Sequence, residues 1–272
     1  MVLFPNCKIN IGLRVVNKRS DGYHDIETIF FPLALKDAVE VIEEPATIKE
    51  VSYTQTGLKI PGSDQDNLCI KAYQLLKKDL PKLPNVKLHL HKIIPTGAGL
   101  GGGSADASFV LKLLNEKFKL DLSVEQLLAY ALQLGSDCPF FIINKPCYAT
   151  GRGEMLEEIP LNLSAYKILL LNPCIHINTG WAFSNINIEP KEGNLKELCR
   201  LPVTSWQENI FNDFEKPVFE AHPEIAKIKN TLINAGALYA SMSGSGSTLY
   251  GIFEKKTEPV FKFPADYFWK WV

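Results

Sequence analysis

No apolar run in the sequence is long enough to cross a membrane. Its longest purely apolar stretches are a few residues, such as Phe140 to Ile143, where a spanning helix needs about 20. There is no basic excess. The 29 Lys and Arg residues face 30 Asp and Glu, for a net charge of −1, so the electrostatic footprint of a nucleic-acid binder is missing. No two cysteines show Cys-x-x-Cys spacing, and no histidine joins Cys7, Cys69, Cys138, Cys147, Cys174 and Cys199 in a zinc-like array. The opening MVLFPNCKINIG has no basic start, long apolar core or small-residue cleavage site. These absences predict reduced thiols in a cytoplasmic protein without nucleic-acid or membrane partners. No internal repeat of fixed period occurs. What remains is an ordinary globular composition, 46% hydrophobic and 22% charged over 272 residues, at a length comfortable for two domains.

Residues 8–15 alternate, with Ile9, Ile11, Leu13 and Val15 on one side and Lys8, Asn10, Gly12 and Arg14 on the other. That period predicts a half-buried strand with Lys8 and Asn10 on its polar face. A turn at 17–22 leads to strands over 26–35, 38–43 and 52–60 and a helix over 67–76. Residues 86–94 alternate again. His89 and His91 share the outer side of that strand with Lys87, and without a third nearby ligand they read as an exposed face rather than a metal site. Ala107, Val110, Leu111, Leu114 and Phe118 predict a helix with Ser104 as its N-cap. Ser123 and Gln126 form a capping box for the next helix, which Gly135 stops. Cys147 to Glu154 reads as a connection between strands, and 166–171 as a buried strand. Helices are expected over 204–214 and 223–235, and strands over 238–240 and 248–253. The aromatics from Phe261 to Trp271 read as a packed terminal element.

Between the strand at 86–94 and the following helix lies the most informative segment, Pro95-Thr96-Gly97-Ala98-Gly99-Leu100-Gly101-Gly102-Gly103-Ser104-Ala105. Five glycines in seven residues let the backbone approach a ligand closely. The helix start behind them offers unpaired N–H groups to an anion. It is not a Walker A loop, because Gly-Lys-Ser does not occur. Gly97, Gly99 and Gly102 match a dinucleotide fingerprint, but its acidic partner should end the next strand. Asp121, at about the right distance, falls between two helices, so the hydride-transfer reading fails on context.

The wording of this loop resembles the ATP loop of the galactokinase, homoserine kinase, mevalonate kinase and phosphomevalonate kinase (GHMP) superfamily. Ser243-Gly244-Ser245-Gly246-Ser247 is similar to its second glycine-rich loop near the phosphates. Lys8-Ile9-Asn10-Ile11-Gly12-Leu13, Asp21-Gly22-Tyr23-His24 and Gly135-Ser136-Asp137-Cys138-Pro139-Phe140-Phe141 resemble a narrower branch. That branch phosphorylates the 2-hydroxyl of 4-diphosphocytidyl-2-C-methyl-D-erythritol in the non-mevalonate isoprenoid route. The motifs run from residue 8 to residue 253, nearly the whole chain. The resemblance implies an α+β, two-domain GHMP kinase architecture: an N-terminal ATP-loop domain over 1–155 and a C-terminal ferredoxin-like domain over 156–272. It implies ATP as phosphoryl donor with Mg²⁺, and small-molecule partners in a monomer or homodimer.

The same residues make chemical sense. A kinase must take a proton from a hydroxyl, hold it in line and neutralise moving charge. Asp137 is the expected base, and Lys8 the cation that keeps it ionised. Such a lowered carboxylate is a weaker base, so the pair works more by positioning and electrostatics. Asn10, on the same face as Lys8, is a candidate substrate contact. The resemblance assigns Tyr23 to stacking on cytosine and His24 to hydrogen-bonding it, both natural to those side chains. Phe183 is the expected second wall, with Trp181 its rival, because the segment around 177–183 departs from the branch's usual wording. The metal ligands stay open, with Ser104 and Asp137 as candidates. The alternatives are another small-alcohol kinase of the superfamily, for which Tyr23 and His24 would have no base to hold, and a non-catalytic nucleotide-binding protein.

Overall fold

The computed structural model describes residues 1–45, 49–189, 191 and 193–272. In chain order the elements begin with β1 (Val2–Leu3), β2 (Asn6–Lys18), β3 (His24–Lys36), β4 (Ala38–Glu43), β5 (Val51–Gly57), α1 (Leu68–Asp79) and β6 (Val86–Lys92). Then come α2 (Gly102–Phe118), α3 (Val124–Leu134), α4 (Cys138–Ile143), β7 (Cys147–Thr150), β8 (Met155–Glu158) and β9 (Tyr166–Asn172). The chain closes with α5 (Thr179–Ser184), α6 (Leu195–Leu198), α7 (Trp206–Asn209), α8 (Glu215–Ala221), α9 (Pro223–Asn234), β10 (Tyr239–Met242), β11 (Leu249–Glu254) and β12 (Phe268–Trp271). These group into two compact units. One holds Met1–Cys7, Ala34–Thr96 and Gly101–Lys145; the other holds Lys8–Leu33, Gly97–Leu100 and Pro146–Val272.

The first unit is built on a sheet of order β1-β4-β6-β5. β5 runs parallel to β6, and α1 makes the crossover such a pair requires. Val39, Val41, Leu88 and Leu90 from the sheet pack with Tyr73 and Leu76 of α1 and Val110, Leu111 and Leu114 of α2. Asn67 caps α1 by accepting from the Cys69 amide at 2.9 Å. The capping box predicted at Ser123 and Gln126 is present. The outer face of β6 is polar as expected: His89 and His91 hydrogen-bond Thr54 and Thr56 of β5. Among the described residues no cluster of three His, Cys, Asp or Glu suits a metal.

In the second unit, a sheet of order β10-β11-β9-β12 is antiparallel throughout. Ile225, Ile228 and Leu232 of α9 cover it, meeting Leu169, Leu171, Ala240, Leu249 and Phe253. The C-terminal aromatics pack as expected, with Trp271 5.3 Å from the Phe253 ring and Phe261 stacked on Phe263. A further sheet has the order β2-β3-β7-β8.

Four local expectations change. The stretch over 147–154, expected as a connection, opens as the strand β7 paired with β3. β2 is buried on both faces rather than one: Lys8, Asn10 and Arg14 are as covered as Ile9, Ile11 and Leu13. The helix expected over 204–214 is a single turn, α7. Beyond Ile210 the backbone leaves the helix to bond β2, with Leu13 N donating to Phe211 O and Asp213 N to Leu13 O. Ser104 is not the N-cap of α2. Gly101 holds that place at φ 67° with no side-chain cap, and Ser104 lies inside the first turn. Leu111→Ala, in the fully buried core of the first unit, is expected to lower unfolding stability by about 2–5 kcal/mol; a drop in urea midpoint at constant m-value checks this.

Candidate active site

The two glycine-rich loops meet in the second unit. Residues 243–248 connect β10 to β11, with Met242 paired to Leu249. Gly99 has φ +77°, and a Cβ there would lie 1.9 Å from the Ser243 carbonyl oxygen, so only glycine fits. Ser243 Oγ donates to Gly99 O at 2.8 Å and accepts from the Asn10 amide at 3.1 Å. Thr248 N donates to Ala98 O at 3.3 Å and Lys8 N to Leu100 O at 3.0 Å. Residues 97–100 are thus held by the hairpin loop and by β2.

Lys8 and Asn10 point into this junction from the covered face of β2. Lys8 Nζ donates to Asn10 Oδ1 at 2.6 Å and lies 4.9 Å from the centre of the Phe30 ring. Asn10 Nδ2 donates to Thr28 Oγ1 at 3.0 Å, and Tyr250 OH donates to Asn10 O at 2.8 Å. Ser245 Oγ lies 3.0 Å from Thr179 Oγ1. Asn212 was not anticipated from sequence. It donates to Met242 O at 2.7 Å and Gly244 O at 2.8 Å, gripping the hairpin loop from both sides.

The aromatic residues do not form a simple pair of walls. His24 stacks on Phe183 at 4.7 Å and 12°, and Phe183 meets the edge of Phe214 at 4.8 Å. Tyr23 is 56% exposed. One side of its ring faces the Arg152 guanidinium, 4.9 Å from the ring centre. Trp181 turns toward His222, 6.5 Å away.

The first unit carries Ser104 in the first turn of α2 and Asp137 at the N-cap of α4, where the carboxylate makes no capping bond. Ser108 Oγ lies 2.8 Å from both Ser104 O and Cys138 O, tying the two segments together.

A buried charge cluster sits beside this segment. Lys92 Nζ donates to Asp37 Oδ2 at 2.5 Å and Asp106 Oδ2 at 2.6 Å. Asp37 Oδ1 also accepts from the amides of Ile93 and Ile94. Burial alone would lower the Lys92 ammonium, but the two carboxylates outweigh it and hold it charged. Burial pushes Asp106 up to about 7, against the pull of Lys92. Asp106 Oδ1 is buried with no hydrogen-bond partner among the described residues. Asp106 lines a cavity of about 190 Å³ with Ser63, Asn67, Leu68, Thr96 and Gly103. A signal for Lys92 existed: the alternation of Val86, Leu88 and Leu90 puts it on the inward side of β6.

The family patterns described as GHMP kinases N terminal domain and GHMP kinases C terminal match residues 67–145 and 192–261. A 4-diphosphocytidyl-2-C-methyl-D-erythritol kinase of Bacteroides thetaiotaomicron is 51% identical over 93% of this chain and 92% of its own. One from Azobacteroides pseudotrichonymphae is 50% identical over 97% of each chain. A crystal structure of 4-(cytidine 5'-diphospho)-2C-methyl-D-erythritol kinase superposes with a TM-score of 0.77 at 28% identity, covering 93% of this chain and 90% of that one.

The Asp106 carboxyl makes stability depend on pH. Between about pH 4 and 7 the folded protein holds a proton there that the unfolded chain has released. This contribution is therefore lost as pH rises through that window. Asp106→Asn is expected to flatten the decline, and urea midpoints of both proteins at pH 5 and pH 8 check it.

Proposed function

The chain belongs to the GHMP kinases, and within them to the 4-diphosphocytidyl-2-C-methyl-D-erythritol kinases; on that premise we propose how its residues divide the reaction. The enzyme transfers the γ-phosphoryl group of ATP to the 2-hydroxyl of 4-diphosphocytidyl-2-C-methyl-D-erythritol, in the non-mevalonate route to isoprenoid precursors. ADP, the 2-phosphate ester and a proton result. What carries the division of roles is the junction of Gly99 with Ser243, to which Lys8 and Asn10 are fastened. Two loops with free-reaching backbones, packed against a buried ammonium, suit a polyphosphate better than any neutral ligand.

Residues 95–105 and 243–246 cradle the phosphates. Asp137 takes the proton as the hydroxyl oxygen attacks phosphorus. Lys8 is its electrostatic partner, and its burial raises the worth of its charge over that of a solvated lysine. Asn10 holds Lys8 in register and offers the substrate a polar contact. Tyr23, with one face covered by Arg152, leaves the other face for cytosine. His24 reads the base edge, and Phe183, already stacked on His24, closes the aromatic group. The cavity beside Gly103 takes the adenosine of ATP. Asp106 Oδ1 supplies an acceptor for a base amine. In chain order we keep 1–155 as the ATP-loop part and 156–272 as the C-terminal part.

The residues present fit Mg²⁺. Ser108 brings Ser104 and the start of α4 together, so a hydroxyl and a carboxylate, both hard oxygen donors, come from neighbouring segments. Mg²⁺ keeps waters and phosphate oxygens and needs few protein ligands. Ser104 and Asp137 would hold it, and it would neutralise charge on the phosphates. Among the described residues no helix is long and apolar enough to cross a membrane.

ADP release with ATP and Mg²⁺ should occur with the cytidine diphosphate ester and not with mevalonate, homoserine or galactose; turnover with another alcohol would remove the roles of Tyr23, His24 and Phe183. Asp137→Ala should lower kcat on the order of 10²–10⁴ with ATP binding nearly intact, and an unchanged kcat refutes the base. Tyr23→Ala should raise KM for the cytidine ester roughly tenfold, as loss of one stacked base implies, with KM for ATP unmoved.

A further inference from the structure

Asp137 stands at the N-cap of a helix only six residues long. A helix of that length does not hold itself in place, so whatever grips α4 decides where the carboxylate stands. Two side chains of α2 do the gripping. Ser108 and Lys112 are four residues apart and share one helix face. Ser108 Oγ has one proton, shared between Ser104 O, in the first turn of α2, and Cys138 O, in the residue after Asp137, each at 2.8 Å. The Ser108 side chain is wholly buried. Lys112 Nζ donates to Phe141 O at 2.8 Å. That carbonyl lies in the last turn of α4, where intrahelical donors run out, and a cation there complements the helix dipole. At the same end, Asn144 closes α4 with φ 55° and donates to Asn6 Oδ1 at 2.8 Å.

We infer that Ser108 and Lys112 are positioning residues for phosphoryl transfer, clamping α4 to α2 so that the helix carrying Gly102 to Ser104 also sets the place of the Asp137 carboxylate. The inference rests on Asp137 as the base. Neither clamp residue touches a reacting atom. Their effect passes through the geometry of Asp137, and a misplacement near 1 Å lowers rates on the order of 10²-fold. A role confined to holding the fold would lower stability and leave kcat alone.

A double-mutant cycle tests this. Ser108→Ala, Asp137→Asn and the double variant are assayed by ADP release with ATP and the cytidine ester, alongside ATP affinity and melting temperature. Ser108→Ala alone is expected to lower kcat about tenfold with both KM values within about twofold. Ser108→Thr, which keeps the hydroxyl, should restore most of that loss. In the Asp137→Asn background, Ser108→Ala should change kcat by less than about twofold, because the carboxylate it positions is gone. Lys112→Met should show the same pattern at smaller amplitude, and it replaces Ser108→Ala in the cycle if that variant fails to fold. Equal losses in both backgrounds overturn the clamp while leaving the base in place. So does an unchanged kcat for both clamp variants when Asp137→Asn is impaired. An Asp137→Asn enzyme with full kcat removes the base assignment, and the clamp falls with it.

Discussion

The approach of Gly99 to Ser243 is a contact between two main chains, and it leaves no room for a side chain on the glycine. A directed chain of hydrogen bonds runs through it. Tyr250 donates to the Asn10 carbonyl, the Asn10 amide to Ser243 Oγ, and Ser243 Oγ to the Gly99 carbonyl. Each oxygen on that path has its donor, and chains of this kind strengthen their members. The path joins β2, the β10–β11 hairpin and residues 97–100, three stretches far apart in sequence. The Asn10 side chain is held as well, by its amide donating to Thr28 Oγ1. The Lys8 ammonium in turn donates to the Asn10 side chain, so it is tied to the same junction.

The first unit has a buried ammonium of its own. Lys92 meets two carboxylates, and the group as a whole carries one negative charge in the interior when both are ionised. Burying charge in this way is weak support for stability, but removing one partner of a buried pair costs about 3–5 kcal/mol. Asp37 is further satisfied by two backbone amides, whereas Asp106 keeps one oxygen without a partner among the described residues. The imbalance accompanies a raised Asp106 carboxyl, pushed up by its burial. It also leaves an acceptor beside a cavity, a position that a purely structural ion pair would not require.

Much of the fold was legible because periodicity is local. The alternation over 38–43 and 86–92, the capping box at Ser123, and the glycine run between a strand and a helix each carry their meaning in a few residues. The failures share a cause as well. That β2 would be covered on its polar face too depends on what packs there, and no pattern within 8–15 encodes it. The end of α7 at Ile210 depends on hydrogen bonds to Leu13, about two hundred residues earlier in the chain. The start of α2 moved to Gly102 because glycines that could form a loop also continue a helix once the loop is anchored elsewhere. Phe183 lies beside His24, yet the covering of Tyr23 by Arg152 had no precedent in the spacing of either residue. Asn212 and Ser108 work through backbone carbonyls, and side-chain-to-carbonyl bonds across a fold leave no sequence signature.

The five glycines between residues 97 and 103 look like one motif but are not interchangeable. Gly99 is constrained twice, by a left-handed backbone and by a carbonyl where its side chain would be. Gly103 is constrained by neither. Its backbone is helical, and an added carbon would meet nothing nearer than the Leu68 side chain at 3.9 Å. Gly103 and Leu68 both line the cavity of the first unit. A side chain at residue 103 would therefore fill part of that cavity and leave the loops closed, while one at residue 99 would keep the loops from closing.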